Sequence, residues 1–367
     1  MEVFLDMITP GSRRSHVACF VGLLRLFFLC FPLLGCAPKE AMKPPDHGSS
    51  FLAYSHFVAA DGEVLPIRAF LPPDRPLAII VAVHGFNDYS RAFQAVGPYL
   101  RDRRIGMIAY DQRGFGISGG TGMWAGSDRY QNDLSQLVST VRLKFPNVPI
   151  YLLGESMGAA IVITTLKAYP QLSVAGAILS APAVWSRDTM PWYQRLVLEF
   201  AATTVPEMRL TGSGLRVQAS DNIDMLRALG RDPWVIKATR VAAIQGLADL
   251  MDMAQAQAKD MVVPTLILYG GNDQIIPAEP VWKMAGQTLR KPNVRMAYYP
   301  KAYHLLLRDL DARIPLGDMV SWVLDLAKPL PSGCELQSES VANSEMALKG
   351  QPGCLSSHED LGALRKD

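Results

Sequence analysis

Gly154-Glu155-Ser156-Met157-Gly158 sets a serine between two glycines, directly after the apolar run 149–153 (PIYLL). A serine on a sharp turn between strand and helix projects its hydroxyl freely and can attack a carbonyl carbon. Gly154 and Gly158 leave room where side chains would meet the flanking strand and helix. A serine hydroxyl is a weak nucleophile and needs a base. The chain has six histidines. His16, His47 and His358 lie in terminal segments, His56 precedes the first half of the sheet, and His84 belongs to another motif. A lone histidine is commonly structural, but elimination selects His304, in Tyr303-His304-Leu305, as the base. The base must be oriented by an acid. Asp273, in Gly270-Gly271-Asn272-Asp273, comes straight after the apolar run 264–269 (PTLILY), where an unpaired carboxylate has no favourable place. Its other reading is a turn-former beside Asn272. Asp309, on an expected helix with Asp311, is the alternative acid. In these roles the residues would carry out acyl transfer through a covalent acyl-enzyme.

Several elements must position these groups. Short runs rich in Ile and Val, at 77–83 (LAIIVAV), 106–110, 149–153, 174–180 (VAGAILS), 264–269 and Val294–Tyr299, read as buried strands. Ser127–Lys144 carries Leu134, Leu137, Val138 and Val141 at helical spacing, and 319–327 reads as a closing helix. The β-branched run 161–165 is a poor helix former, so a helix there rests on the serine motif. Buried strands separated by helices imply a mostly parallel α/β sheet, doubly wound, with helices on both faces. Chemistry in such sheets collects at the C-terminal strand ends. The alternation breaks between about 185 and 263. No convincing strand appears there, and helix formers at 238–258 accompany Met190, Met208, Met225, Met251, Met253, Trp192 and Trp234. This predicts a helical cap over the catalytic edge, whose methionines either line an acyl site or pack the insertion's own core.

Composition bounds the partners. Of 367 residues, 36 are Lys or Arg and 34 are Asp or Glu, and the net charge is +2. That balance argues against nucleic-acid binding. The 49% apolar content excludes a disordered chain. The loop 111–118 (DQRGFGIS) matches no dinucleotide or phosphate fingerprint, so nucleotide binding is not expected. One terminal stretch, 17–35, is apolar enough to meet a membrane, which excludes a multi-span protein. Arg25 interrupts it, and a charge at mid-bilayer costs about 2.5 kcal/mol or more. Residues 1–35 therefore read as a signal peptide with its apolar core at 26–35. It ends in Leu33-Leu34-Gly35-Cys36, which resembles a bacterial lipobox with Cys36 as the lipidated residue. An uncleaved anchor is the other reading. Ala37, rather than Asp, resembles the sorting signal for the outer membrane of a bacterial cell envelope, facing the periplasm.

Residues 36–50 read as a Pro- and Ser-rich linker, 51–330 as the folded body, and 331–367 as a flexible tail. Of five cysteines, Cys19 and Cys30 fall in the signal segment, and none lies between 37 and 333. Cys334 and Cys354 could form a disulfide in an oxidising compartment or remain free thiols. They make no metal site.

The order Ser156, Asp273, His304 is that of the α/β-hydrolases. In that fold, backbone N–H groups after a His-Gly pair and after the nucleophile hold the oxyanion, here those of Phe86 and Met157. His84 is then a brace. Together HGFNDYSRAF, DQRGFGISGG, GESMG, GGNDQIIP and YHLLLRD resemble the monoacylglycerol lipase and lysophospholipase group of α/β-hydrolases, from His84 to Asp309. The resemblance implies a cofactor-independent serine hydrolase acting on single-acyl lipid esters beneath a cap. A general carboxylesterase or aminopeptidase would use the same triad. A non-catalytic lipid-binding lipoprotein is the alternative outside enzymes. Dehalogenase and epoxide hydrolase chemistry is disfavoured, because there the nucleophile is Asp.

Overall fold

The computed structural model describes residues 50–336, apart from Tyr54, Ser213, Leu215 and Arg216, together with Cys354. The expected signal peptide, Cys36 and all but Ser50 of the linker lie outside the described residues. In chain order the body contains β1 (Phe51–Leu52), β2 (His56–Val58), β3 (Val64–Phe70), β4 (Ala78–Val83), α1 (Val96–Arg101), β5 (Ile105–Tyr110), α2 (Ser127–Lys144), β6 (Ile150–Glu155), α3 (Met157–Ala168) and β7 (Gly176–Ser180). The insertion follows with α4 (Trp192–Thr204), β8 (Arg209–Thr211), α5 (Ile223–Arg231), β9 (Ala238–Arg240) and α6 (Val241–Gln257). The chain then resumes with β10 (Thr265–Gly270), α7 (Ala278–Thr288), β11 (Val294–Tyr299) and α8 (Arg313–Leu324).

Nine strands form one sheet in the order β1-β2-β3-β5-β4-β6-β7-β10-β11. The six from β5 to β11 in that order are parallel; β1, β2 and β3 extend the sheet antiparallel. Every residue of β4, β5, β6, β7 and β10 is buried, because helices cover both faces. On one face α2 contributes Tyr130, Leu134, Leu137, Val138 and Val141, joined by side chains of α3, α6 and α7. On the other, α1 supplies Val96 and Leu100, and α8 supplies Ile314, Met319, Trp322 and Val323. The β-branched run 161–165 is helical within α3 and wholly buried, so tertiary packing overrides its weak propensity.

Three expectations are corrected, and one part of the sheet had no expectation attached. The insertion is not purely helical: β8 and β9 pair antiparallel, with Leu210 opposite Thr239. Strands of three residues have too few positions to show a period. The closing helix spans Arg313–Leu324, not 319–327, since Pro315 falls in its first turn, where no N–H bond is lost. Asp309 and Asp311 therefore precede the helix. The antiparallel edge β1–β3 was not anticipated from the sequence; its β3 alternates with Pro66 and Arg68 and lacks a continuous apolar run. Residues 331–336, expected as the start of a flexible tail, are built onto the outer edge of β11. Tyr298 N–H donates to Cys334 O at 3.0 Å, Leu336 N–H to Met296 O at 2.8 Å, and Arg295 forks onto the Glu335 carboxylate. Cys334 is bonded to Cys354.

Candidate active site

Ser156 occupies the turn between β6 and α3 with φ +55° and ψ −117°. A non-glycine residue in that region stores about 1–3 kcal/mol and persists only where its surroundings hold it. Here Ser156 N–H donates to Ser180 O of β7 at 2.9 Å, and Ser156 O accepts from Ala159 and Ala183 N–H at 2.9 and 3.1 Å. The two glycines give the turn its closeness. A Cβ at Gly154 would lie 2.4 Å from the Ala159 backbone nitrogen, and one at Gly158 would lie 2.0 Å from Val83 O of β4.

The strand order places the loops after β10 and β11 beside each other, two and three strands from β6. Asp273 follows β10 and His304 follows β11. His304 Nδ1 and Asp273 Oδ2 are 2.8 Å apart, and both side chains are almost fully buried. A carboxylate only accepts, so Nδ1 carries the hydrogen and Nε2 of a neutral ring is left as the acceptor. The other carboxylate oxygen, Oδ1, accepts Ile275 N–H at 2.8 Å and Ile276 N–H at 3.0 Å. Gly270 and Gly271 permit the approach of the two loops. A Cβ on either would lie within 2.6 Å of the carbonyl oxygens of Ala302 or Pro300. Asp309 does other work: Oδ1 accepts from Ser220 Oγ and Oδ2 from Tyr303 N–H at 2.7 Å, which fixes the His304 loop. Burial raises the Asp309 pKa.

The loop after β4 reaches the same place. A Cβ on Gly85 would meet Ser156 Cβ at 3.3 Å, so the loop lies closely over the turn. His84 is fully buried. Its Nε2 accepts Gln112 N–H at 3.1 Å, so its Nδ1, 2.8 Å from Gly85 O, is the donor. Burial holds this imidazole below its ordinary pKa, as befits a neutral brace. The Phe86 ring packs edge-on against Phe115 and Trp124. Asn87, at φ +65°, is stitched to the insertion through Thr239 Oγ1 at 2.7 Å and Ile236 N–H at 2.9 Å. Met157 is fully buried as the first residue of α3, where a backbone N–H has no partner within the helix.

Three buried charges stand behind these groups and were not singled out from the sequence. Arg308 donates to Asp88 Oδ2 at 2.8 Å and to Glu155 Oε1 at 2.5 Å. Their signal was adjacency, each lying within four residues of His84, Ser156 or His304. In the insertion, Met251 packs into the body core, whereas Met208 is exposed, so the methionines do not form one lining. α4 buries none of its residues, and Trp192, Leu196, Val197 and Phe200 are each more than half exposed.

Residues 74–311 match the family model described as serine aminopeptidase, S33. The chain is 27% identical to the monoglyceride lipase of Mus musculus over 287 residues, 76% of this chain and 93% of that protein. Among solved structures it resembles the monoacylglycerol lipase of Paleococcus ferrophilus at a TM-score of 0.60 and 21% identity, over 71% of this chain and 98% of that one. A soluble variant of the monoglyceride lipase of Saccharomyces cerevisiae, solved with a substrate analog, gives 0.62 and 20% over 73% and 93%. These likenesses share the α/β-hydrolase fold with this sheet and its helices. With well over half its length matched by the model, the chain belongs to the serine aminopeptidase S33 family.

Proposed function

We propose that this protein is a serine hydrolase that cleaves carboxylic esters of single-acyl lipids, such as monoacylglycerols or lysophospholipids. The observation that carries the catalytic part is the buried His304–Asp273 pair, with the second Asp273 oxygen saturated by two backbone N–H groups. Ser156 Oγ attacks the ester carbonyl carbon and its proton passes to His304 Nε2. Asp273 holds the ring in the tautomer that can accept it and stabilises the imidazolium. The oxyanion takes hydrogen bonds from the N–H groups of Phe86 and Met157. Collapse breaks the bond to the alcohol, which leaves with the proton from His304. Water, deprotonated by His304, then cleaves the acyl-enzyme and restores Ser156.

Three things support a lipid as the substrate: the monoglyceride lipases among the relatives, the sequence motifs shared with that group, and the exposed apolar side chains of α4. The envelope location follows from the sequence alone. We place the enzyme on a membrane through lipidated Cys36, facing the periplasm. The Cys36→Ser variant should lose its acyl chains by mass spectrometry and leave the membrane fraction; retention there would remove the lipidation.

The test of function is hydrolysis of glyceryl esters of rising acyl length and of aminoacyl amides, with Ser156→Ala alongside. A long-chain optimum absent from the variant supports the lipid reading. Turnover confined to short soluble esters would make it a general carboxylesterase, and preference for the amides an aminopeptidase.

A further inference from the structure

The buried Asp88–Arg308–Glu155 network has no part in the bond-making steps above. Its placement is specific. Asp88 lies two residues after Phe86, Glu155 immediately before Ser156, and Arg308 four residues after His304. These segments follow or end β4, β6 and β11. β4 and β6 are sheet neighbours, but β7 and β10 separate β6 from β11. Strand pairing therefore does not set the His304 loop against the nucleophile turn. A side chain reaching across the sheet edge does. The Arg308 guanidinium gives one nitrogen to each carboxylate, at 2.8 and 2.5 Å, and all three side chains are at least nine-tenths buried. Asp88 is fixed in turn by accepting Tyr89 N–H at 2.9 Å, and the Arg308 carbonyl accepts Asn222 Nδ2 at 3.1 Å.

A buried ion cluster adds little net stability over apolar side chains of the same volume, so stability alone does not account for it. The planar fork does account for it geometrically, since it fixes two carboxylates at set directions, which an ammonium cannot do. We propose that Arg308 is a positioning residue of the hydrolytic site, locking the oxyanion loop through Asp88 and the nucleophile turn through Glu155 against the loop that carries His304. The proposal rests on the serine-hydrolase reading. It also accounts for glutamate at the second position of the Gly-x-Ser-x-Gly motif. Burial pushes the Glu155 carboxyl up, and the Arg308 charge opposes that.

The experiment uses the full chain in detergent, comparing wild type with Arg308→Lys, Arg308→Met, Glu155→Gln and the charge-free triple Asp88→Asn/Glu155→Gln/Arg308→Met. The readouts are Tm, fluorophosphonate labelling of Ser156, and kcat and KM on a soluble short-chain ester. Displacement of reacting groups by about 1 Å corresponds to about 10²-fold in rate. We expect a kcat loss of about that size in Arg308→Met, with KM within about threefold, and partial recovery in Arg308→Lys. The triple variant should melt near wild type yet keep the kcat deficit. If Arg308→Met fails to fold, Arg308→Lys and the triple variant carry the test. A triple variant with wild-type kcat, or an Arg308→Met loss that appears in KM and not in kcat, overturns the positioning role. A wild-type protein that neither labels nor hydrolyses overturns the serine-hydrolase reading instead.

Discussion

Asp273→Asn tests the acid by a route that the local hydrogen bonds make definite. An asparagine has one oxygen and one amide nitrogen to place where Asp273 has two oxygens. On one side stand two fixed donors, the N–H groups of Ile275 and Ile276 at 2.8 and 3.0 Å; on the other stands His304 Nδ1 at 2.8 Å. Turning the amide nitrogen toward the backbone would strand two N–H groups, at about 1–3 kcal/mol each. The oxygen therefore stays on the backbone, and the amide nitrogen donates to His304. Nδ1 must then accept, and the ring hydrogen moves to Nε2. In that tautomer His304 has no lone pair for the Ser156 proton. The corresponding change in a serine triad lowers kcat by about 10⁴-fold, or about 5.4 kcal/mol at 1.36 kcal/mol per decade. The assay is kcat on a soluble ester, with circular dichroism showing that the fold is kept. Asp309→Asn is the control. It loosens the contacts to Ser220 and Tyr303 but leaves the His304–Asp273 pair, so it should lower kcat by less than about tenfold and act mainly on Tm. An Asp273→Asn enzyme within tenfold of wild type, or an Asp309→Asn loss larger than that of Asp273→Asn, would refute the assignment.

Gly158→Ala should cost about 3 kcal/mol or more in urea unfolding, because its Cβ meets Val83 O at 2.0 Å, whereas Gly286→Ala on α7, with open space around it, should gain about 0.5–1 kcal/mol. Replacing Cys334 and Cys354 by serine should lower stability by about 3 kcal/mol for the 20-residue separation, with kcat per folded molecule unchanged. Below pH 6.5 the unfolded chain protonates His84 while the buried native ring resists, so stability is lost as pH falls from 6.5 through the lowered native value; His84→Gln should flatten that part of the Tm–pH curve. Replacing Leu196, Val197 and Phe200 of α4 by serine should slow hydrolysis of dispersed long-chain esters by about tenfold or more and spare a soluble short ester; equal loss on both would remove α4 from lipid contact.

What was legible in the sequence divides along a physical line. The strands β4, β6 and β10 announce themselves because both faces are buried and the runs are uninterrupted. Ser156 and Asp273 are legible because each follows such a run, and His304 because elimination leaves it after the 294–299 strand; sheet order then brings the three loops to one edge. The β8–β9 pair was not legible, since its register joins residues some thirty apart with no local period. The ordered stretch 331–336 was hidden for a related reason. Ser332, Gly333 and Glu335 read as tail residues, and the β11 edge, Arg295, Asp318 and Leu330 supply partners for this stretch.

The charges behind the site were invisible in a different way. Asp88, Glu155 and Arg308 are unremarkable one at a time, and a charge in a sequence is ordinarily a solvated side chain. Their meaning lies in two contacts that only the folded chain defines. The same holds for the glycines of 270–271, which read as a simple turn but let the Asp273 loop rest on the carbonyls of Pro300 and Ala302. Sequence motifs thus disclose the groups that make and break bonds, because that chemistry fixes residue type. The groups that hold them in place are chosen by reach and by which neighbour is left over, so several residue types could serve at each position. Arg308 stands between these cases: its fork is chemically particular, but its two partners sit 220 and 153 residues away in the chain.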